Sequence, residues 1–105
     1  MFELDKDNFD AHVIESKELV LVDYFSTGCV PCQALLPQLE ELQNEFTGKI
    51  KFMKFNTSNG RRLAIREKIM GLPTITVYNN GVKVCEVTKE EATVENIREM
   101  IKKAL

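Results

Sequence analysis

Residues 19–25 read LVLVDYF and residues 26–36 continue as STGCVPCQALL; this stretch decides the fold. A nearly continuous apolar run of this length is typical of a β-strand that is covered on both faces. The tripeptide STG ends that strand, and a helix is predicted from about Val30 to Gly48. Pro37 lies inside this helix and is expected to kink it, because it removes a backbone donor. The apolar positions at helical spacing are Leu35, Leu36, Leu39, Leu42 and Phe46.

The elements before this stretch are a strand and a helix. A short strand is predicted around Phe2–Leu4, followed by a helix that Asp7 or Asn8 caps. That helix places on neighbouring turns Phe9, Val13 and His12.

The elements after it continue the alternation. The final, amphipathic helix starts near Thr93, and its apolar stripe consists of Ile97, Met100, Ile101 and Leu105. The order is βαβαβαββα, which predicts an α/β fold. The elements between the cysteine helix and the final helix are a strand over Ile50–Phe55, a helix over Arg61–Lys68, a loop at 70–73, a strand over Thr74–Tyr78, a hairpin turn at 79–81 and a strand over Val82–Val87.

The composition predicts a single domain over residues 1–105. The chain has 105 residues, 44% of them hydrophobic, which suffices for one core and is too short for two ordinary domains. The net charge of -2 provides no field suited to a polyanion, so neither nucleic acid nor a membrane is an expected partner. The charged N-terminal sequence does not resemble a secretory signal, and no apolar run approaches the ~20 residues of a membrane span. We therefore expect a cytoplasmic protein.

Cys29 and Cys32 form a C-x-x-C pair at the predicted start of a helix. Residues three apart lie on one side of the first turn, close enough to alternate between dithiol and disulfide. Unsatisfied N–H groups and the positive end of the helix dipole lower a thiol pKa from its free value of ~8.5. Cys29 is therefore expected to be the nucleophile, and the more buried Cys32 the resolving cysteine. Pro31 fits the first turn, where its missing N–H costs nothing.

A C-x-x-C pair is also half of many zinc sites, which need two more Cys or His ligands. Only Cys85 and His12 remain, and they lie on different predicted elements without the spacing of a zinc knuckle. We therefore predict no metal site. Cys85 is interpreted as a small side chain packed in the hairpin strand, with regulatory oxidation or dimerisation as the alternative.

Several separated motifs resemble the thioredoxin family, in its order and spacing over the whole chain. They are LVDYF at 21–25, the cysteine pair, GLPT at 71–74 and the turn Asn80-Gly81. The resemblance implies the thioredoxin fold, a central mixed β-sheet flanked by helices on both faces, with the cysteines at the C-terminal edge of the central strand. It also implies a protein disulfide reductase, an electron carrier that needs no cofactor beyond its redox-active disulfide. Its partners would be disulfide-containing target proteins and a flavoprotein thioredoxin reductase, and we expect a monomer.

The resemblance gives roles to two charged residues. Asp23 matches the family aspartate that is buried beneath the pair and assists proton transfer at the resolving cysteine. A carboxyl group within an apolar strand is expected to have a raised pKa, which suits that role, whereas the alternative is a carboxylate that reaches solvent. Lys54 matches the family lysine near this aspartate, and a snorkelling surface lysine is the alternative.

The same resemblance implies a substrate-binding surface. Pro73 matches the cis-proline that faces the cysteines, and the peptide unit of Leu72, next to Gly71, would pair with an extended substrate backbone. Such main-chain pairing explains tolerance of many partners, because backbone groups are common to all of them. The residues around the nucleophile, Gly28, Val30 and Pro31, lie where partners dock.

The pentapeptide GCVPC at 28–32 departs from the usual Trp-Cys-Gly-Pro-Cys, and the chain contains no tryptophan. It is similar to the variant in some thioredoxins of anaerobic, amino-acid-fermenting bacteria, which implies a dedicated flavoprotein reductase. The family glycine after the last strand has no counterpart in TKEE at 88–91, so a more charged rim is expected there. We predict a different or narrower set of partners.

Two functional alternatives remain open. The first is a strong oxidant instead of a reductant. The dipeptide Val30-Pro31 lacks the His that strong oxidants of this superfamily place between their cysteines, which favours a reductant with a potential nearer ~-270 mV than ~-120 mV. A thioredoxin-like interaction module with a vestigial pair is the second alternative. The presence of Asp23, Pro73 and both cysteines argues against it.

Overall fold

The apolar run at residues 19–25 is the middle strand of a five-stranded sheet. The computed structural model describes all residues from 1 to 105. The order across the sheet is β1-β3-β2-β4-β5. The strands are β1 (Phe2–Leu4), β2 (Leu19–Phe25), β3 (Lys51–Asn56), β4 (Thr74–Asn79) and β5 (Val82–Thr88).

The sheet is mixed. Strands β1 and β2 run parallel to β3, whereas β4 is antiparallel to both β2 and β5. The β4–β5 turn has Asn80 at φ 54° and Gly81 at φ 81°, the left-handed pair that a two-residue hairpin requires. A side chain at Gly81 would also collide with the backbone carbonyl of Ile14. These observations confirm the predicted fold.

Helices cover both faces of the sheet and divide the core into two clusters. The helices are α1 (Val30–Glu45), α2 (Arg61–Arg66) and α3 (Val94–Ala104). On one face, α1 and α3 pack on Leu21, Ile75 and Val77. On the other face, Phe9, Val22 and Leu63 belong to the second cluster, together with Tyr24 and Tyr78. Side chains alternate along β2, so consecutive residues of this strand face different clusters.

The first helix is shorter than the sequence predicts. It is a single π-helical turn, Asp10–Ile14, whose N-cap is Phe9 without a side-chain hydrogen bond, so neither Asp7 nor Asn8 caps it. Asp5 Oδ1 accepts the N–H groups of Asp7 and Asn8 at 2.8 Å each, while Asn8 Oδ1 accepts the N–H of Asp5. These short side chains compete with helical hydrogen bonding. Phe9 and Val13 are buried as expected, and exposed His12 lies against the ring of Phe2.

Three further helix ends differ from the prediction, and the first is that of α1, which ends at Glu45 rather than at Gly48. Helix α2 ends at Arg66 rather than Lys68, because Lys68 adopts a left-handed φ of 62°. Leu105 lies beyond the last residue of α3 and is exposed, so it does not belong to the apolar stripe of Ile97, Met100 and Ile101. No helix of the chain combines the length and apolar character needed to cross a bilayer.

Candidate active site

Cys29 and Cys32 form a disulfide at the start of α1, with their Cα atoms 5.3 Å apart. Cys29 is the N-cap of this helix, and its Sγ accepts the backbone N–H of Cys32 at 3.2 Å. Pro31 occupies the first turn, as the sequence predicts. Cys32 is only 4% exposed, whereas Cys29 is partly exposed and Val30 beside it is open to solvent. The two sulfurs therefore differ in access, with Cys29 on the outer side.

The loop that delivers Cys29 is fixed by hydrogen bonds that the sequence does not reveal. Gln33 Nε2 donates to the carbonyl oxygen of Thr27 at 3.0 Å, and Asn56 Nδ2 donates to Thr27 Oγ1 at 3.2 Å. The N–H of Cys29 donates to the carbonyl of Ser26. Gln33 and Asn56 thus hold Thr27 from α1 and from the end of β3. Only the polar character of these residues beside apolar elements could have drawn attention to them.

Asp23 lies inside the sheet with 2% of its surface exposed, as predicted, and does not reach solvent. Its Oδ1 atom has no hydrogen-bond partner. Burial raises the pKa of Asp23 from 3.8 to about 7, and the positive charge of Lys54 partly opposes this increase. Lys54 is its register partner on β3. Asp23 is therefore a carboxyl group that can exchange a proton near neutral pH.

Three of the predicted catalytic residues meet in one small chamber. Asp23, Cys32 and Lys54 line a cavity of about 240 Å³. The Lys54 side chain is 21% exposed, and its Nζ lies 3.9 Å from Glu3 and 5.8 Å from the centre of the Phe25 ring. The Lys54 side chain is thus mostly buried beside Asp23, while its amino group lies near the half-exposed carboxylate of Glu3. The chamber is completed by Phe25, Ser26, Thr27, Gln33 and Leu36.

The loop before β4 has the predicted cis bond between Leu72 and Pro73, and Pro73 is buried. Thr74 Oγ1 donates to the carbonyl of Gly71 at 2.6 Å, and the N–H of Lys89 donates to the carbonyl of Pro73 at 2.8 Å. The methylene groups of Lys89 pack over Gly71, so a side chain at position 71 would require the flexible Lys89 side chain to move. Lys89 itself adopts a left-handed φ of 55°, where glycine is usually favoured. In the segment at 88–91, which follows β5, the left-handed position is therefore occupied by a lysine.

The surface around the nucleophile is open. A Cβ atom added to Gly28 would have no heavy atom within 4 Å. Val30 is 70% exposed and Pro31 is also exposed. The surface around Cys29 is therefore small and unobstructed, and it carries no aromatic side chain at position 28, 30 or 31.

The remaining sulfur lies elsewhere. Cys85, in β5, is half-buried against the cluster under α1 and α3, and burial raises the pKa of its thiol. No three His, Cys, Asp or Glu side chains are grouped so that they could hold a metal ion. The packing of Cys85 agrees with its interpretation as a small core residue.

The comparisons with known proteins agree with this geometry. The thioredoxin family model matches residues 1–103. A thioredoxin of Peptoclostridium acidaminophilum is 61% identical over 103 residues, covering 98% of this chain and 94% of that protein. A thioredoxin of Acetoanaerobium sticklandii is 48% identical, covering 98% of each. A Plasmodium falciparum thioredoxin structure, 29% identical, superposes with a TM-score of 0.89 over the whole of both chains.

A second solved structure, thioredoxin f2 of Chlamydomonas reinhardtii, has a TM-score of 0.90 and 29% identity, covering 99% of this chain and 95% of that one. The sequence relatives, the superposed folds and the cysteine pair at disulfide distance all lead to the same conclusion. The chain belongs to the thioredoxin family and is a thiol–disulfide oxidoreductase that acts through a redox-active cysteine pair.

Proposed function

We propose that Cys29 is the attacking cysteine of this disulfide reductase and Cys32 the resolving one. In the reduced protein, the Cys29 thiolate attacks one sulfur of a target disulfide and displaces one target thiolate, which leaves a mixed disulfide. The Cys32 thiolate then attacks Sγ of Cys29 and displaces the second target thiolate. The target gains two electrons and two protons, and the protein ends with the Cys29–Cys32 disulfide.

The different surroundings of the two sulfurs support this division. Cys29 is partly exposed, and its Sγ accepts a backbone N–H and lies at the positive end of α1, all of which favour a thiolate. Cys32 is almost entirely buried, so a target sulfur cannot approach it directly. It can reach only the sulfur of Cys29 beside it.

The proposal depends above all on the position of Asp23, whose buried carboxyl group lies in the same chamber as Cys32. Its carboxyl group lines the same chamber as Cys32, lacks a hydrogen-bond partner at Oδ1 and has a pKa of about 7. A base with a pKa near the working pH can both accept and return a proton. Asp23 therefore accepts the proton of the Cys32 thiol when the mixed disulfide is resolved. Lys54 keeps part of the Asp23 population ionised by opposing the effect of burial.

The target lies against the loop before β4. An extended segment of the target pairs its backbone with Leu72, while Gly71 and Pro73 shape the groove beside it. The exposed residues Gly28, Val30 and Pro31 contact the target around its disulfide. Because these side chains are small, the target set differs from that of a protein with an aromatic platform.

A flavoprotein reductase returns the disulfide to the dithiol. The direction of electron flow is toward targets, because no side chain between the cysteines provides a partner for the Cys29 thiolate that would make the reduced form unusually stable. Residues 1–105 act as one domain and as a monomer. The cytoplasm is the compartment that fits, since a dithiol maintained by a reductase requires reducing surroundings.

Reduction of insulin and trapping of the mixed disulfide test the two cysteine roles. Cys29→Ser should lose reduction of insulin, whereas Cys32→Ser should accumulate a covalent complex with the target that dithiothreitol releases. Cys85→Ser is the matched control and should behave as the wild type. Equal activity of wild type and Cys29→Ser would overturn the proposal in favour of an interaction module. An equilibrium titration against glutathione that gives an oxidising potential would reverse the direction of electron flow.

A further inference from the structure

A second groove lies on the α2 face of the sheet and ends at the loop before β4. Its volume is about 410 Å³, and its lining includes Ile65, Ile69, Met70 and Leu72. Ile65 is 72% exposed and Met70 is 90% exposed, although both are large apolar side chains. Contiguous exposed apolar surface with a polar border is typical of a site that contacts another protein.

Three basic side chains, which we call the cationic rim, line a depression that adjoins this groove: Lys6, Arg61 and Arg62. Arg61 lines both the apolar groove and an adjoining depression that Lys6 and Arg62 also line. All three residues are exposed. The six ion pairs of the chain all involve other basic residues, so none of these three side chains has a carboxylate oxygen within 4 Å.

The third arginine of α2 provides an internal comparison. Arg66 lies one turn further along the same helix and is held by Asp10 at 2.6 Å and by Glu67 at 3.0 Å. The chain therefore satisfies the arginine at the far end of α2 with its own carboxylates. It leaves Arg61, at the edge of the apolar groove, and its neighbour Arg62 without a carboxylate partner.

We propose that this surface docks a disulfide-bearing partner protein through a segment that carries an apolar side chain next to carboxylates. The proposal rests on the reductase function proposed above and names the chemistry of its targets. The apolar side chain enters the groove, while the carboxylates pair with the cationic rim, where each guanidinium group can donate two parallel hydrogen bonds to one carboxylate. The groove includes Gly71 and Leu72, so the docked segment leads directly to the residues that pair with the target backbone.

The size and charge of the surface favour a short acidic segment over a polyanion. The whole chain has a net charge of -2, so the cationic rim is a local feature on an acidic background. Three cations match two or three carboxylates, whereas a nucleic acid or an anionic membrane requires a larger positive field. Pairing at an exposed rim acts mainly on the rate of association and weakens with salt.

Two synthetic peptides with an intramolecular disulfide test the proposal. They share one leucine beside the disulfide and differ only in three flanking residues, which are Glu in one peptide and Gln in the other. The fully reduced protein is mixed with each peptide, and the single-turnover rate constant is measured at low salt and in ~0.5 M NaCl. The wild type should reduce the Glu peptide about tenfold faster at low salt and lose this preference at high salt.

Charge reversal identifies the residues responsible. Arg61→Glu/Arg62→Glu should lose the preference for the Glu peptide and still reduce the Gln peptide at the wild-type rate. The matched control is Lys17→Glu/Lys49→Glu, two exposed lysines outside every ion pair and at the opposite end of β2 from the cysteines. This control has the same net charge and should keep the preference.

Equal wild-type rates on the two peptides at low salt would overturn the docking proposal, and so would an equal loss of preference in the control variant. In either case, reduction of the Gln peptide would leave the reductase function intact. If the wild type reduced neither peptide, the proposed function itself would fail, and the docking proposal with it.

Discussion

Neighbouring residues of β2 bury polar groups on opposite faces of the sheet, and the two groups are treated differently. On the α2 face, the hydroxyl of Tyr24 lies 2.8 Å from that of Tyr78, which donates to Glu67 Oε1 at 2.7 Å. On the α1 face, Asp23 Oδ1 has no partner. Satisfied polar groups in a core are tolerated and fix its geometry, whereas an unsatisfied one destabilises the fold. The polar group on the first face is therefore expected to stabilise the fold, and the one on the second face to destabilise it.

The pKa values follow the same division. Burial, as the largest cause, raises the pKa of both tyrosines, so their hydroxyl groups stay protonated at physiological pH. Burial also raises the pKa of Asp23, but to about 7, where both protonation states are populated. Burial therefore keeps the two tyrosine hydroxyl groups protonated at physiological pH, whereas it brings the pKa of the Asp23 carboxyl group close to that pH.

The largest expected effect is a gain of stability in Asp23→Asn. Below pH 3.8 the carboxyl is protonated in both the folded and unfolded states and destabilises neither. As pH rises towards 7, the unfolded chain releases the proton first, so the folded state loses stability. Three units of pKa difference correspond to about 4 kcal/mol above pH 7. Urea unfolding should show this gain at pH 8 and almost none near pH 3.5.

The same variant should resolve mixed disulfides about tenfold more slowly at pH 7, because Cys32 would then lose its proton to water alone. If the Asp23→Asn protein were no more stable than the wild type at pH 8, this would contradict the view that the buried Asp23 carboxylate lowers the stability of the fold.

Tyr78→Phe should have the opposite effect, with a smaller magnitude. It removes the donor to Glu67 and leaves the hydroxyl of Tyr24 without its partner, which should cost about 2 kcal/mol of unfolding free energy. Insulin reduction should stay within about twofold of wild type, because the chamber lies on the other face. Tyr24→Phe is the matched control with one lost hydrogen bond and should cost about 1 kcal/mol. A large loss of activity in Tyr78→Phe would show that the two faces are not independent.

Lys54→Met should shift the pH dependence of the resolving step. In the wild type the rate should rise through about pH 7 as Asp23 becomes a carboxylate. Removing the Lys54 charge removes the effect that opposes burial, so the pKa of Asp23 should rise and the rate at pH 7 should fall about twofold. Quenched-flow measurement of the mixed disulfide between pH 5.5 and 8.5, an interval of about 1.5 units on each side of that pKa, gives the profile. An unchanged or downward-shifted profile would remove Lys54 from the catalytic group.

The double variant Asp23→Asn/Tyr78→Phe should show the smallest deviation. Its change in unfolding free energy at pH 8 should equal the sum of the single changes within about 0.5 kcal/mol, because the two groups share no partner. A coupling energy well above this value would mean that the sheet transmits strain between its faces.

Local patterns carried most of what the sequence predicted. The apolar run at 19–25, the helix after Cys29 and the turn at Asn80-Gly81 depend on residues near one another in the chain, and all three are confirmed. The burial of Asp23 was predictable because a carboxyl group in the middle of an apolar strand lies among residues that are themselves buried. The cis bond before Pro73 came from the family resemblance alone.

What the sequence missed depends on contacts between distant residues. Tyr24 and Tyr78 are 54 positions apart and are not register partners, so their hydroxyl groups meet only because their long side chains converge from the neighbouring strands β2 and β4. Arg61 and Arg66 are the same residue type on one short helix, and only the folded position of Asp10 shows that Arg66 is paired. The prediction of a longer first helix was wrong because the Asp5 side chain accepts hydrogen bonds from the backbone of Asp7 and Asn8. Hydrophobic periodicity gives no information about such local hydrogen bonds.

The unpartnered carboxyl of Asp23 also has an evolutionary consequence. A copy of this fold released from redox work would gain several kcal/mol by a single change at position 23, and mutation readily finds such changes once selection on activity is relaxed. If Asp23 exchanges protons as proposed, an acidic residue at this position is expected in domains of this fold that keep their redox activity. Asparagine or an aliphatic residue there would indicate a lineage that keeps the fold for another purpose.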